Sequence, residues 1–236
     1  MSLGTVKRFY KSVGVAETPD GFGITLDGRQ VRTSAGKPLV VGPYRDLAHE
    51  IATEWEAQKD VVAPASMPMT QMATTALDRV GPERQAILDH LAAFAQTDLL
   101  CYRAPSPASL RERQDRMWQP LLDWLQTEIG AGLTVTVGVI AVEQAPESIQ
   151  TIRNRFDALD LWRLTGAQVA AAAAGSAVLA LALAHGRLDG EQVFSLSQID
   201  EAWQAALWGE DAEAAQRRKN LRADILAADR LLRLIG

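Results

Sequence analysis

Val13-Gly14-Val15-Ala16-Glu17-Thr18-Pro19-Asp20-Gly21-Phe22-Gly23-Ile24-Thr25-Leu26-Asp27-Gly28-Arg29-Gln30-Val31 is the stretch on which the fold turns. Val13, Val15, Phe22, Ile24, Leu26 and Val31 alternate with polar residues or glycine, the two-residue period of strands with one buried face. Between them stand Pro19-Asp20-Gly21 and Asp27-Gly28, which supply the restrained and the left-handed backbone that tight hairpins need. Residues 33–37 read as another turn and Leu39-Val40-Val41 as a further short strand. A β region of about 40 residues is too small to bury a core of its own, so it is expected to pack on the segment C-terminal to it.

From residue 42 onward the chain reads as helical. Gly42-Pro43 opens a segment in which Tyr44, Leu47, Ala48, Ile51 and Trp55 recur at helical spacing. Pro64 and Pro68 punctuate a connector over 61–69, taken as the domain boundary. Helices are then predicted over 70–80, 83–100, 109–129, 146–164, 168–185, 190–208 and 211–235. Leu133, Val135, Val137 and Val139 alternate, so 133–142 reads as a β segment. The predicted class is α+β: a small N-terminal antiparallel β domain with a following helix (1–64), then a larger mostly α-helical domain (65–236).

Of the 236 residues, 47% are hydrophobic and 22% charged, an ordinary globular balance that supports a core. The net charge of −5 gives no global attraction for nucleic acid or an anionic membrane, and neither is expected as a partner. The longest apolar run, 169–184, is shorter than the roughly 20 residues of a membrane span, so membrane insertion is not expected. Met1-Ser2-Leu3-Gly4-Thr5 runs almost directly into Lys7-Arg8-Phe9-Tyr10, without an apolar signal segment. With the single Cys101, which cannot form an internal disulfide, that predicts a cytoplasmic or already matured protein. A monomer is expected.

No catalytic, cofactor or metal site is expected either. His49-Glu50-Ile51-Ala52-Thr53 has threonine where a zinc protease needs its second histidine one turn on. His90 and Cys101, eleven residues apart, stand roughly 16 Å apart if one helix carries both, beyond reach as base and nucleophile. Gly21-Phe22-Gly23 leads into a strand pattern instead of a helix, and no Walker-type loop is present, so nucleotide binding is not expected. Arg217-Arg218-Lys219 with Arg222 reads as a solvated helix face balanced by Glu210, Asp211 and Glu213.

The six tryptophans are more informative. Trp118, Trp124 and Trp162 read as core, and Trp55 as packing between the β region and the helices. Along 190–208, Ile199, Trp203 and Ala206 form one apolar face, and a rotation of about 100° per residue puts Trp208 opposite Ile199, on the side of Glu201 and Gln204. Two readings stay open for Trp208: a partner-binding patch beside an acid, or a ring covered by a neighbouring helix.

Several ordered stretches resemble one family. They are Lys7-Arg8-Phe9-Tyr10-Lys11, Leu26-Asp27-Gly28-Arg29, Glu54-Trp55-Glu56-Ala57-Gln58, Met67-Pro68-Met69-Thr70, Thr97-Asp98-Leu99-Leu100-Cys101-Tyr102-Arg103, and Trp203-Gln204 through Trp208-Gly209-Glu210. Together they resemble the ATP-twelve family of ATP synthase assembly chaperones. Gln119-Pro120 departs from it, where an aspartate before the proline is expected, but touches no residue given a role. The resemblance implies an ATP-independent chaperone that binds the free α subunit of the F-type ATP synthase and keeps it soluble until it pairs with a β subunit. It implies a cytoplasmic location in a bacterium and the mitochondrial matrix in eukaryotic relatives. It also implies that acids at Asp200-Glu201 matter, which with the helical reading gives a partner-binding set of Asp200, Glu201, Gln204, Trp208 and Glu210. Glu54, Trp55, Tyr102 and Arg103 are expected in structural or interdomain roles. Two other readings remain: a general holdase with no fixed client, or a small helical hydrolase using Asp98, Cys101 or His90.

Overall fold

In the computed structural model, which describes residues 6–236, the quoted stretch forms the predicted hairpin. The segment Met1 to Thr5, on which the expectation of no signal segment rests, lies outside the described residues. After β1 (Val6–Lys7), β2 (Val13–Thr18) pairs antiparallel with β3 (Gly21–Leu26), from Val13↔Leu26 to Thr18↔Gly21, and β4 (Arg29–Gln30) adds to β3. Gly21 is obligatory at this hairpin. Its φ is +120°, and an added Cβ would stand 2.0 Å from the Gly42 carbonyl oxygen. The expected strand at 39–41 is reduced to one bridge, Gly23↔Val40, with Val41 N donating to Phe22 O at 2.9 Å. Pro38 and Pro43 bracket it and cannot donate to a longer ladder.

The buried side chains Ile24, Leu26, Leu39 and Val41 share a core with Leu47, Ala48 and Ile51 of α1 (Arg45–Glu56), the stripe read from the sequence. Next, β5 (Val61–Val62) pairs with β1, and α2 (Pro68–Thr75) widens into a π turn over Ala76–Val80. The 61–69 connector is thus structured, since β5 takes its start and Met67 and Met69 are buried. One compact unit comprises the described residues up to Arg84 with Arg230–Gly236; the other is Gln85–Asp229.

The second unit contains α3 (Arg84–Gln96, from Gln85 on), β6 (Tyr102–Arg103), α4 (Ala108–Trp124) with a π turn to Ile129, and β7 (Thr136–Val137). It continues with α5 (Pro146–Asp157), α6 (Leu161–Ala174), α7 (Ala177–Ala184), α8 (Gly190–Ser197), α9 (Ile199–Trp208) and α10 (Ala212–Ile235), whose last turns from Arg230 count with the first unit. Trp118, Trp124 and Trp162 are buried, as expected. No helix among the described residues is long and apolar enough to cross a membrane.

The helices are more numerous than predicted, because local caps interrupt the apolar periodicity. The predicted 146–164 helix breaks before Asp160, whose carboxylate accepts from the Trp162 and Arg163 amides at 2.8 and 2.9 Å. The alanine-rich 168–185 helix divides at Gly175, φ +66°, and Ser176 caps α7 through Leu179 N at 3.0 Å. The 190–208 helix divides at Gln198, and the 83–100 helix ends at Gln96, ahead of a short 3₁₀ turn. Of the β segment at 133–142 only Thr136–Val137 pairs, parallel to β6.

Asp98 ties these pieces together. Its Oδ1 accepts from Leu100 N at 3.0 Å and Ser176 Oγ at 2.8 Å, and its Oδ2 from Val178 N at 3.0 Å. One carboxylate thereby caps the 3₁₀ turn and reaches the N-terminus of α7. Burial outweighs these donors and raises the carboxyl to about 6.

Candidate functional site

α9 carries its first acids in two different settings. Asp200 is half-buried, and its Oδ1 accepts from Gln114 Nε2 at 2.6 Å. Gln114 is fully buried and accepts in turn from Ala104 N at 2.7 Å through Oε1. Asp200 therefore holds α9 to α4, and its partial burial raises its pKa. Glu201 and Gln204 are exposed.

Trp208 is 78% exposed and Leu207 58%, so no neighbouring helix covers the ring. Gly209 ends α9 at φ +80°, a conformation that lets the chain turn away and leaves the ring uncovered. Asp211 then caps α10, accepting from Ala214 N at 2.8 Å, and Glu210 pairs with Arg218 at 3.0 Å. The Arg218 guanidinium lies 5.9 Å from the Phe194 ring centre. Ile199 is buried and Trp203 half-buried, but Ala206, expected on that face, is exposed, because the packed side of this short helix stops a turn before its end.

Glu201, Gln204, Trp208 and Glu210 line one groove with Arg217 and Leu221. The structure thus brings four of the five expected partner-binding residues to one groove and ties Asp200 into the fold beneath. The basic cluster is not simply solvated. Arg218 pairs with Glu210, and Arg222 makes a two-point pair with Glu191.

The residues expected in structural roles make many internal bonds. Glu54 accepts from Met69 N at 2.6 Å, Thr70 N at 2.8 Å and Thr70 Oγ1 at 2.7 Å. It caps α2, whose own N-cap, Met67, provides no side-chain bond, and burial raises its pKa. Trp55 is half-buried; its carbonyl accepts from the Tyr10 hydroxyl at 2.7 Å, and the two rings meet edge-on at 5.6 Å. Arg103, 2% exposed, donates to Asp115 at 2.6 Å, to the Leu100 carbonyl and to Gln119 at 3.4 Å, and its guanidinium lies 5.3 Å from the Trp118 ring centre. Tyr102 sits beside it in β6. Gln119, expected to touch no assigned residue, in fact touches Arg103, because one helical turn separates it from Asp115 on the same face of α4.

Of the side chains named for a hydrolase, Asp98 and Cys101 lie close together, and His90 is on α3, which ends at Gln96 before either. Asp98 and Cys101 are both fully buried, and burial pushes the thiol up to about 12. His90 is exposed against Phe94. No cluster of three metal-ligating side chains occurs among the described residues.

Three further elements lie near the groove. Gln198, 6% exposed, lines it with a carbonyl Oε1 that accepts no hydrogen bond. Val139 and Ile140, 95% and 81% exposed, follow β7. A second cavity has Val139, Ala172 and Glu201 in its lining. Only the apolar run at 133–142 signalled any of this in the sequence.

A family model described as "ATP12 chaperone protein" matches residues 7–126. The mitochondrial protein atp12 of Schizosaccharomyces pombe is 27% identical over 219 residues, which cover 87% of this chain and 75% of that protein. Atp12 from Paracoccus denitrificans superposes with a TM-score of 0.93 at 37% identity, over 98% of this chain and 99% of that one. A putative chaperone from Agrobacterium tumefaciens superposes with a TM-score of 0.88 at 40% identity, over 98% of this chain and 86% of that one.

Proposed function

The chain belongs to the ATP12 chaperone family, and from that premise we propose that it binds the free α subunit of the F-type ATP synthase and holds it soluble until a β subunit takes its place. The observation that carries this reading is the groove beside Trp208, where a 78% exposed indole stands among acids. A large exposed aromatic ring is a costly surface feature for a lone protein and a common anchor in an interface.

The physics requires no energy source. Subunits of an obligate oligomer expose broad apolar surfaces before they assemble, and these aggregate. A partner that covers such a surface reversibly prevents this, and the true neighbour displaces it by binding more tightly. Glu201, Gln204, Trp208 and Glu210 make the contact, while Asp200 fixes the helix that carries them. The protein acts as a monomer in the bacterial cytoplasm.

Affinity capture from an extract of cells making the synthase tests the proposal. The expected result is enrichment of the α subunit without β, abolished by Glu201→Lys. Capture that is indifferent to Glu201→Lys contradicts the site. A second reading, a holdase with no fixed client, draws on the exposed Val139 and Ile140. It predicts that the protein also suppresses aggregation of an unrelated heated enzyme at equal ratio.

A further inference from the structure

Two cavities, of about 460 and about 500 Å³, meet along Gln198, Glu201, Arg217 and Leu221. Trp208 lines the first; Leu99, Val139 and Ala172 line the second. We read the two, which share Gln198, Glu201, Arg217 and Leu221, as one trough, with the exposed Trp208 (78%) in the lining of one part and the exposed Val139 (95%) in that of the other. We infer that this trough takes an extended segment of the client in which a cationic residue stands between apolar ones. The inference rests on the reading that this face binds the client.

Three observations select that occupant. The first is charge. The α9–α10 groove is lined by Glu201, Glu210, Asp211 and Glu213 against Arg217 and Arg218. Arg218 is already neutralised by Glu210 at 3.0 Å. The remaining acids outnumber the remaining base, so a cation gains and a carboxylate loses there. The exposed indole of Trp208 offers a ring face to the same cation.

The second observation is Gln198. It is 6% exposed, lines both cavities, and its Oε1 accepts nothing. Buried carbonyls are normally paired, and this one lacks a donor. The backbone N–H groups within a bound helix are used inside that helix, whereas an extended chain presents free ones. The third is β7. It pairs with β6 on one side and has no second strand beside it among the described residues. Val139, two residues beyond β7, lines the second cavity, and an unpaired strand edge accepts an extended chain by strand addition.

Ala172 separates this inference from the binding site itself. It is exposed on α6, lines only the far cavity, and lies outside the Asp200–Glu210 segment. Ala172→Trp should fill the trough, and Val139→Ser should remove its far anchor with no fold to disturb. The experiment titrates purified α subunit, and overlapping synthetic peptides of it, into the full-length chaperone and these variants. Ala172→Trp should lose at least tenfold in affinity and Val139→Ser about threefold, both with unchanged melting temperature. The tightest peptides should carry lysine or arginine between apolar residues and weaken about tenfold when that cation becomes glutamine.

If both variants bind α subunit as the parent does while Trp208→Ala does not, the trough is unoccupied and the inference falls, with the proposed function intact. Tight peptides that need no cation overturn the assigned chemistry. A parent dimer that Ala172→Trp converts to a monomer without loss of α-subunit binding assigns the trough to a second copy and overturns the inference. Failure of the parent chaperone to bind α subunit at all removes the underlying reading.

Discussion

Trp55 and Trp208 each lie on a helix that also carries glutamate, and their surroundings are opposite. The Glu54 carboxylate accepts three hydrogen bonds and caps α2, and the Trp55 ring stands edge-on to Tyr10 at 5.6 Å. Around Trp208 the corresponding groups are left open: Glu201 is exposed and the indole is 78% exposed. The lesson is that residue type does not separate a packing tryptophan from a binding one, whereas burial does: the Trp55 indole N–H is enclosed without an acceptor, while the Trp208 ring stands in solvent. Asp98 and Asp200 extend the contrast. Asp98 accepts at both oxygens inside the fold, while Asp200 makes one bond and supports the open face.

That contrast breaks most visibly at Asp98. Asp98→Ala strands several buried donors and should cost about 3–5 kcal/mol, at roughly 1–3 kcal/mol per unpaired group; chemical denaturation measures it. The same residue sets a pH dependence. A carboxyl raised in the folded state contributes fully below its unfolded value and loses that contribution as pH rises through the folded one. For Asp98, raised from 3.8 to about 6, the loss lies between about pH 4 and pH 6 and amounts to about 3 kcal/mol. The stability difference between the parent and Asp98→Asn should therefore shrink by about that amount from pH 4 to pH 7.

Trp55→Ala should cost about 2–4 kcal/mol, a little under a fully buried ring, and lower the melting temperature without altering client affinity per folded molecule. Glu54→Gln keeps the shape but turns an amide N–H₂ toward donors, and should cost about 1–2 kcal/mol. The smallest expected stability effect is at the open face: Trp208→Ala should stay within about 0.5 kcal/mol of the parent. A large loss there would show that the ring is packing after all.

The sequence was most legible where the signal is local. The hairpin at 13–26 announced itself by alternation and turn residues, and the α1 stripe by spacing. Pairing across long separations left no such trace. Asp98 and Ser176 lie 78 residues apart, and nothing near either names the other. The alanine-rich run looked continuous because its apolar composition hides the break at Gly175-Ser176, where a capping serine resembles any small residue. At the candidate site, rotation along the helix already put Trp208 opposite Ile199. The trough was not legible, because Gln198, Ala172 and Val139 come from three separate elements and meet only in the folded chain.

The most direct test is the affinity of purified α subunit for the parent, Trp208→Ala and Glu201→Lys proteins, with melting temperatures measured on the same samples. Each variant should lose at least tenfold in affinity with no change in melting temperature. Unchanged affinity, or a loss explained by a matching fall in stability, would contradict the proposed client contact.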